Sequence, residues 1–168
     1  KIKDSEIIII SISCDITNNK NAKTKLNNFL KSSKKILSYI SEKSLVLFET
    51  TLPPGTIEKK ILPIARKIFE NKGYKKEPNI AYSYERVMPG ENYLSSITNM
   101  NRIYSGNNNE TKRLCKKFLS LIINTKKFPL REYNTTTEVE LSKIIENSYR
   151  AINIALISDW LKFSIKNN

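Results

Sequence analysis

Apolar positions along this chain follow two alternating rhythms. Residues 6–13 form a β-branched run with four consecutive isoleucines, Ile7 to Ile10, too short for a helix and suited to a buried strand. Beyond a polar stretch reaching Asn21, Leu26, Phe29, Leu30, Leu37 and Ile40 recur at helical spacing between lysines, predicting an amphipathic helix over 23–41. Residues 44–49 predict a second buried strand, Pro53-Pro54-Gly55 a break, and Ile57, Ile61, Ile64, Ala65 and Ile68 a second helix ending near Gly73. The series continues with a strand at 79–84, a long loop around Pro89-Gly90, a short strand at 102–104 and a helix carrying Leu114, Phe118 and Ile122. Such alternation predicts a parallel sheet with helices on its faces.

The rhythm changes after residues 129–136, where a domain boundary is placed. Thr137-Glu138-Val139-Glu140 reads as a capping box, and the residues to about Lys166 contain neither Pro nor Gly, which predicts one long helix. On that helix Lys143, Asn147 and Arg150 share one face. Leu141, Ile144, Ile145, Ile152, Ala155 and Leu156 lie away from them, so the helix is expected to pack by its apolar side and present the polar stripe.

Composition narrows the chemistry. The 168 residues include no histidine, and the two cysteines, Cys14 and Cys115, are far apart, so neither a zinc site nor a Cys/His or Ser/His catalytic pair is expected. No run approaches the roughly 18 apolar residues of a membrane span, which makes a cytoplasmic protein without membrane contact the expectation. The net charge of +13 raises a nucleic-acid-binding alternative, but the lysines are spread along the chain rather than clustered. A non-catalytic dimerisation scaffold built on the long helix is a further alternative.

Three segments carry candidate chemistry. Thr51 lies just past a strand end, with Thr56 placed to open the next helix, and open α/β sheets bind ligands at such carboxyl ends. Glu85-Arg86 also follows a strand, and the Lys143 stripe groups a cation, an amide and a guanidinium. In order, Glu49-Thr50-Thr51-Leu52-Pro53-Pro54-Gly55-Thr56, Ser83-Tyr84-Glu85-Arg86-Val87-Met88-Pro89-Gly90, Arg102-Ile103-Tyr104-Ser105-Gly106 and Glu140-Leu141-Ser142-Lys143-Ile144-Ile145-Glu146-Asn147-Ser148-Tyr149-Arg150-Ala151 resemble the UDP-glucose/GDP-mannose dehydrogenase family. The Glu-Arg-Val-Met-Pro-Gly loop is closer to members that oxidise UDP-N-acetylhexosamines than to those acting on UDP-glucose.

The resemblance implies an α/β fold: residues 1–132 as the later part of a Rossmann-like NAD-binding domain, and 133–168 as the start of a central helical domain that makes a homodimer. It implies oxidation of a UDP-sugar C6 hydroxyl to a carboxylate with two NAD, without nucleic acid or metal. Lys143 would be the acid/base and electrostatic partner of the C6 oxygen, and Asn147 would help stabilise the oxyanion. Thr51 would contact NAD and help place a water, while Glu85 would assist hydrolysis. Arg86, Val87 and Arg150 would contact the sugar nucleotide, together with Lys143 and Asn147.

The four glycines, Gly55, Gly73, Gly90 and Gly106, stand too far apart to make a GxGxxG loop, and the family's nucleophilic cysteine would also lie outside the chain, so it is expected to be an inactive internal part of a longer enzyme. An exposed sheet edge and poor solubility of the piece alone follow from that expectation. Some positions depart from the family pattern. Ser13-Cys14-Asp15 stands where Pro-Thr-Pro is common, leaving Cys14 as a weak substitute for an NAD contact; its other reading is a small buried strand residue, and Cys115 is read as helix packing. Tyr84 replaces a common proline, and Val139 a common alanine.

Overall fold

The four isoleucines form β1 (Ile7–Ile10), and the computed structural model, which describes residues 2–14, 26–87 and 90–167, builds a five-stranded sheet from that strand outward. The other elements are α1 (Leu26–Leu37), β2 (Leu45–Phe48), α2 (Leu62–Asn71), β3 (Asn79–Tyr82), α3 (Tyr93–Thr98), β4 (Arg102–Gly106), α4 (Asn109–Ile122), β5 (Leu130–Glu132) and α5 (Thr136–Asn167). Strands stand in chain order, β1-β2-β3-β4-β5. Ile7 pairs with Leu45 and Leu45 with Asn79 in parallel register. The Met88-Pro89 part of the expected loop, residues 23–25 of the expected first helix and Asp15 lie outside the described residues.

The sheet's two faces come from the strict period of two. Val46 and Phe48 of β2, with Ile80 and Tyr82 of β3, enter a core with Phe29 and Leu37 of α1, Ala65 and Phe69 of α2 and Val139 of α5. Phe29 and Phe48 stack with centroids 5.9 Å apart, tying α1 to the sheet. Leu45, Leu47 and Ala81 face the other way onto Cys115 and Leu119 of α4. Cys115 is fully buried there, and burial pushes its thiol up to about 12, so it packs as a small apolar group.

The sheet departs from the all-parallel expectation at one pair. β4 runs antiparallel to β3, with Ala81 opposite Gly106. A parallel return needs a crossover that covers a sheet face; the link from β3 to β4 carries only the six-residue α3. Neither α3 nor β5 was anticipated: α3 is a six-residue helix, too short to show a helical period, and β5 has Leu130 as its only apolar residue, with Arg131 and Glu132 exposed.

Two wide-angle features shape the second helix. It opens at Ile57–Ile61 as a π turn in which the Leu62 N–H reaches back to the Ile57 carbonyl. Pro63 follows, with no N–H to offer the normal ladder, which accounts for the wider turn at that point. Gly55 sits before it at φ +84°, a conformation that suits glycine.

At about 48 Å, from a rise of about 1.5 Å per residue, α5 is the longest element. Its orientation corrects the sequence expectation. Val139, Glu140 and Lys143 are buried against the domain, while Leu141, Ile145, Ile152 and Leu156 are exposed. The helix packs by the start of its polar stripe and leaves the apolar side outward.

Gly106 closes β4 where α4 crosses it. A Cβ there would stand 2.7 Å from Thr111 Cγ2 and 3.1 Å from the Lys112 backbone nitrogen. Thr111 is fully buried, its hydroxyl shared with Asn107 and Asn79. Gly106→Ala should therefore cost about 1–3 kcal/mol in urea unfolding, the range for overpacking. Adding Thr111→Ser, which removes the clashing methyl and keeps the hydroxyl, should recover part of that loss; no recovery would place the strain elsewhere.

Candidate active site

The carboxyl ends of β1, β2 and β3 come together because these three strands are parallel. Each continues past its last paired residue into a polar segment: Ser11 to Cys14, Glu49 to Thr51, and Ser83 to Val87. Between them lies a cleft of about 240 Å³ lined by Ser11, Ser13, Cys14, Glu49, Thr50, Thr51 and Glu85. A neighbouring cavity of about 440 Å³ shares Ser11, Glu49 and Glu85 and adds Val87, Arg102 and apolar residues from α3 and α4. Cys14 is half-buried beyond the end of β1, not within the strand as expected.

Lys143 reaches this region from α5. Its ammonium donates to the Glu85 carbonyl at 2.9 Å and stands 4.9 Å from the centroid of the Tyr84 ring. Only 8% of the residue is exposed. Burial lowers its pKa, with the positive charges of Arg150 and Arg86 adding to the effect and Glu85 and Glu146 opposing it. The neutral amine is thus easier to form than on a surface lysine.

Glu85 turns its carboxylate onto the Val87 N–H, which shapes the loop. Arg86 points to α5, where its Nε donates to Glu146 at 2.8 and 3.0 Å; Nη2 donates to the Tyr84 hydroxyl at 3.0 Å, and Nη1 to the Asn101 carbonyl. Among the described residues three of the guanidinium's five N–H groups are so engaged, which leaves one on each terminal nitrogen. Asn147 lies one turn beyond Lys143, half-buried, and accepts from the exposed Arg150 at 3.3 Å. Thr51, Cys14 and Glu85 therefore line one cleft and Val87 the adjoining cavity; Lys143 is bonded to the Glu85 carbonyl but, like Arg86, Asn147 and Arg150, lines neither.

Several participants were not singled out by sequence reasoning. Arg102 pairs with Glu49 and donates to the Ser83 hydroxyl at 3.1 Å. Burial raises the Glu49 pKa against the pull of Arg102, with Glu85 adding to the rise. The reversed direction of β4 brings its first residue to the cleft, so an alternation that predicted a parallel strand could not locate Arg102.

The capping chemistry also differs from expectation. The reciprocal box is Thr135 with Glu138: Glu138 N–H donates to Thr135 Oγ1 at 3.2 Å, and Thr135 N–H to Glu138 Oε2 at 2.9 Å. Thr137 instead donates to Glu58 at 3.0 Å. Glu140 is fully buried and accepts from the Gly55 N–H at 2.5 Å and the Ile57 N–H at 2.9 Å. It caps the second helix, a task Thr56 leaves open because its hydroxyl donates back to the Pro53 carbonyl at 2.6 Å. Among the described residues no His, Cys, Asp and Glu cluster could hold a metal ion, and no helix is long and apolar enough to cross a membrane.

Comparison with known proteins places this geometry. Residues 1–122 match the model of the UDP-glucose/GDP-mannose dehydrogenase family, NAD binding domain. A UDP-N-acetyl-D-mannosamine dehydrogenase of Methanococcus aeolicus is 31% identical over 163 residues, covering 96% of this chain and 35% of the relative. A UDP-N-acetyl-D-glucosamine 6-dehydrogenase of Salmonella typhi is 26% identical, over 95% of this chain and 36% of its own length. Among solved structures, a UDP-D-ManNAc dehydrogenase from Pyrococcus horikoshii superposes with TM-score 0.75 at 27% identity, over 92% of this chain and 35% of that one. The chain thus spans about a third of the curated relatives it matches.

Burial pushes the Glu140 carboxyl up to about 7, against the two N–H donors that favour its charge. The folded state then binds a proton more readily than the unfolded chain, so the stability this group contributes is complete below the ordinary carboxylate range and is lost as pH rises through about 7. Urea unfolding should show less stability at pH 8 than at pH 5, and Glu140→Gln should flatten that difference. An unchanged pH slope in the variant would assign the effect to other groups.

Proposed function

The chain belongs to the UDP-glucose/GDP-mannose dehydrogenase family, and from that premise we propose that it is the middle portion of a cytoplasmic NAD-dependent enzyme. The enzyme oxidises the C6 hydroxyl of a UDP-N-acetylhexosamine to a carboxylate. The observation that carries this reading is the buried Lys143 ammonium fixed at 2.9 Å to the Glu85 carbonyl, beside a cleft at the ends of three parallel strands.

A cleft at strand ends suits a dinucleotide, and the residues here fit the outer part of such a site: Thr51 and Cys14 are among the polar residues that line it. NAD, when bound, supplies the hydride acceptor. The chain's own residues handle the oxygen and its proton. Lys143, with its pKa lowered by burial, takes the proton from the C6 hydroxyl and then, as an ammonium, stabilises negative charge on oxygen. Asn147, on the next turn, adds an amide N–H to the same oxygen. Glu85 and Thr51 both line the cleft and orient a water for hydrolysis of the thioester that would form on a cysteine supplied by the parent protein outside this chain. Arg86 and Arg150 meet the charged part of the sugar nucleotide, Arg86 through the two N–H groups that take no partner among the described residues, and Val87 packs against the sugar.

The exposed apolar side of α5, with Ile145, Ile152, Leu156 and Trp160, supports the homodimer in the intact protein. With a family assigned, the charge of +13 needs no nucleic-acid partner to account for it.

The test is the parent protein, with the sequence that flanks this chain, assayed for NADH against a panel of UDP-sugars. UDP-N-acetylhexosamine should yield about two NADH per sugar, because alcohol to acid is two hydride transfers. Lys143→Ala should lower kcat by about 10²–10⁴, the usual worth of a positioned acid/base. No turnover of any UDP-sugar would remove the catalytic assignments.

A further inference from the structure

Two cations, Lys143 and Arg86, approach one buried aromatic ring. The Tyr84 centroid lies 4.9 Å from the Lys143 ammonium and 5.0 Å from the Arg86 guanidinium carbon, both within cation–π reach. Tyr84 is 2% exposed. Its hydroxyl donates to Glu146 Oε2 at 2.9 Å and accepts from Arg86 Nη2 at 3.0 Å, while Glu146 takes the Arg86 Nε. Tyr84, Arg86 and Glu146 thereby close a ring of hydrogen bonds between the loop after β3 and α5.

Like charges brought this close repel, and each would otherwise turn toward solvent. The ring's negative face attracts both, and the Glu146 carboxylate offsets one of them. The Arg86 and Tyr84 hydrogen bonds hold the Glu146 pKa below the usual carboxylate range, outweighing the opposing effect of its partial burial. Burial pushes the Tyr84 hydroxyl up to about 12, so it remains a donor to Glu146 at neutral pH. Neither cation needs to be gathered when an anionic ligand arrives; the entropic cost of ordering two long side chains is met in folding.

We propose that Tyr84 is a positioning residue that sets the spacing of Lys143 and Arg86, so that the loop and α5 present two fixed cations to a sugar nucleotide. This rests on the dehydrogenase reading above. The ring and the hydroxyl have separable tasks: the ring holds both cations, and the hydroxyl fixes which guanidinium N–H groups stay unused.

The experiment compares Tyr84→Phe and Tyr84→Leu in the parent protein, with steady-state kinetics and thermal melts. Tyr84→Phe keeps the ring and removes both hydroxyl bonds; it should raise KM for the UDP-sugar about fivefold, with a smaller effect on kcat and none on KM for NAD. Tyr84→Leu should raise the same KM further and lower kcat about tenfold, as Lys143 loses its support. A purely structural residue would lower the melting temperature and the active fraction and leave the UDP-sugar KM unchanged in Tyr84→Phe, and that result overturns the proposal. Should Tyr84→Leu fail to fold, the phenylalanine variant decides alone. Wild-type protein that turns over no UDP-sugar overturns the dehydrogenase reading and this one with it, whereas wild-type turnover with unaltered Tyr84→Phe kinetics overturns only this one.

Discussion

Two carboxylates exchange places to hold the molecule together. Glu140 of α5 accepts the Gly55 and Ile57 N–H groups at the start of the second helix, and Glu58, in that helix's first turn, accepts from the Thr136 and Thr137 hydroxyls at the start of α5. Each helix N-terminus presents unpaired N–H groups and a partial positive charge, so each is satisfied by an acid from the other. An ordinary cap is worth about 0.5–2 kcal/mol. Losing Glu140 would cost more, because its two donors are buried and each unmet buried N–H costs about 1–3 kcal/mol. The functional segments hang on this crossed pair. Thr51 is four residues before Gly55, and Lys143 is three residues after Glu140, so the clamp that joins two helix ends also fixes the cleft wall against the lysine that faces it.

That clamp accounts for the unexpected side of α5. A helix whose acid must reach another helix's N–H groups turns its polar face inward there, and Val139 and Lys143 follow Glu140 into the interface. From Ile145 onward no described element covers the helix, and its apolar residues stand open through Ile165. Such a helix belongs among neighbours on all sides. The chain spans about 35% of its curated relatives, which leaves ample sequence in those proteins to surround it.

Strand and helix periodicity carried most of the fold into view, because Val46 to Phe48 of β2 and the four-residue spacing of Cys115 and Leu119 in α4 are fixed by burial, which sequence records directly; the isoleucine run gave the right strand but not a buried one, since β1 lies at the sheet edge with Ile7 and Ile9 exposed and only Ile10 buried. The direction of β4 was not legible, since Arg102-Ile103-Tyr104 reads alike in either sense and only the shortness of α3 decides it. The capping residue was misplaced by the same kind of ambiguity: Thr135 and Thr137 each precede an acid by three residues, Glu138 and Glu140, and the local pattern cannot tell which acid is taken by a distant helix. Ordered motifs pointed to Thr51 and Glu85, which line the cleft, and to Lys143, which donates to the Glu85 carbonyl. Glu49, Tyr84, Arg102 and Glu146 act through partners 19 to 62 residues away, contacts that no local spacing encodes.

The antiparallel strand, a departure from the simple alternation, is what completes the charge balance of the cleft. Three parallel strands alone would deliver Glu49 and Glu85 to one edge with the sheet's own backbone carbonyls, a concentration of negative charge. Had β4 run parallel, Arg102 would lie at the opposite end of the sheet, about 13 Å away over four residue steps of about 3.3 Å. Reversal sets Arg102 against Glu49 from one side while α5 sets Lys143 against Glu85 from the other. The pairings are not equivalent. Arg102 is paired with the Glu49 carboxylate, whereas Lys143 is bound to a carbonyl and burial lowers its pKa. One cation meets a carboxylate and the other a backbone carbonyl, a difference set by the partner that the fold brings to each.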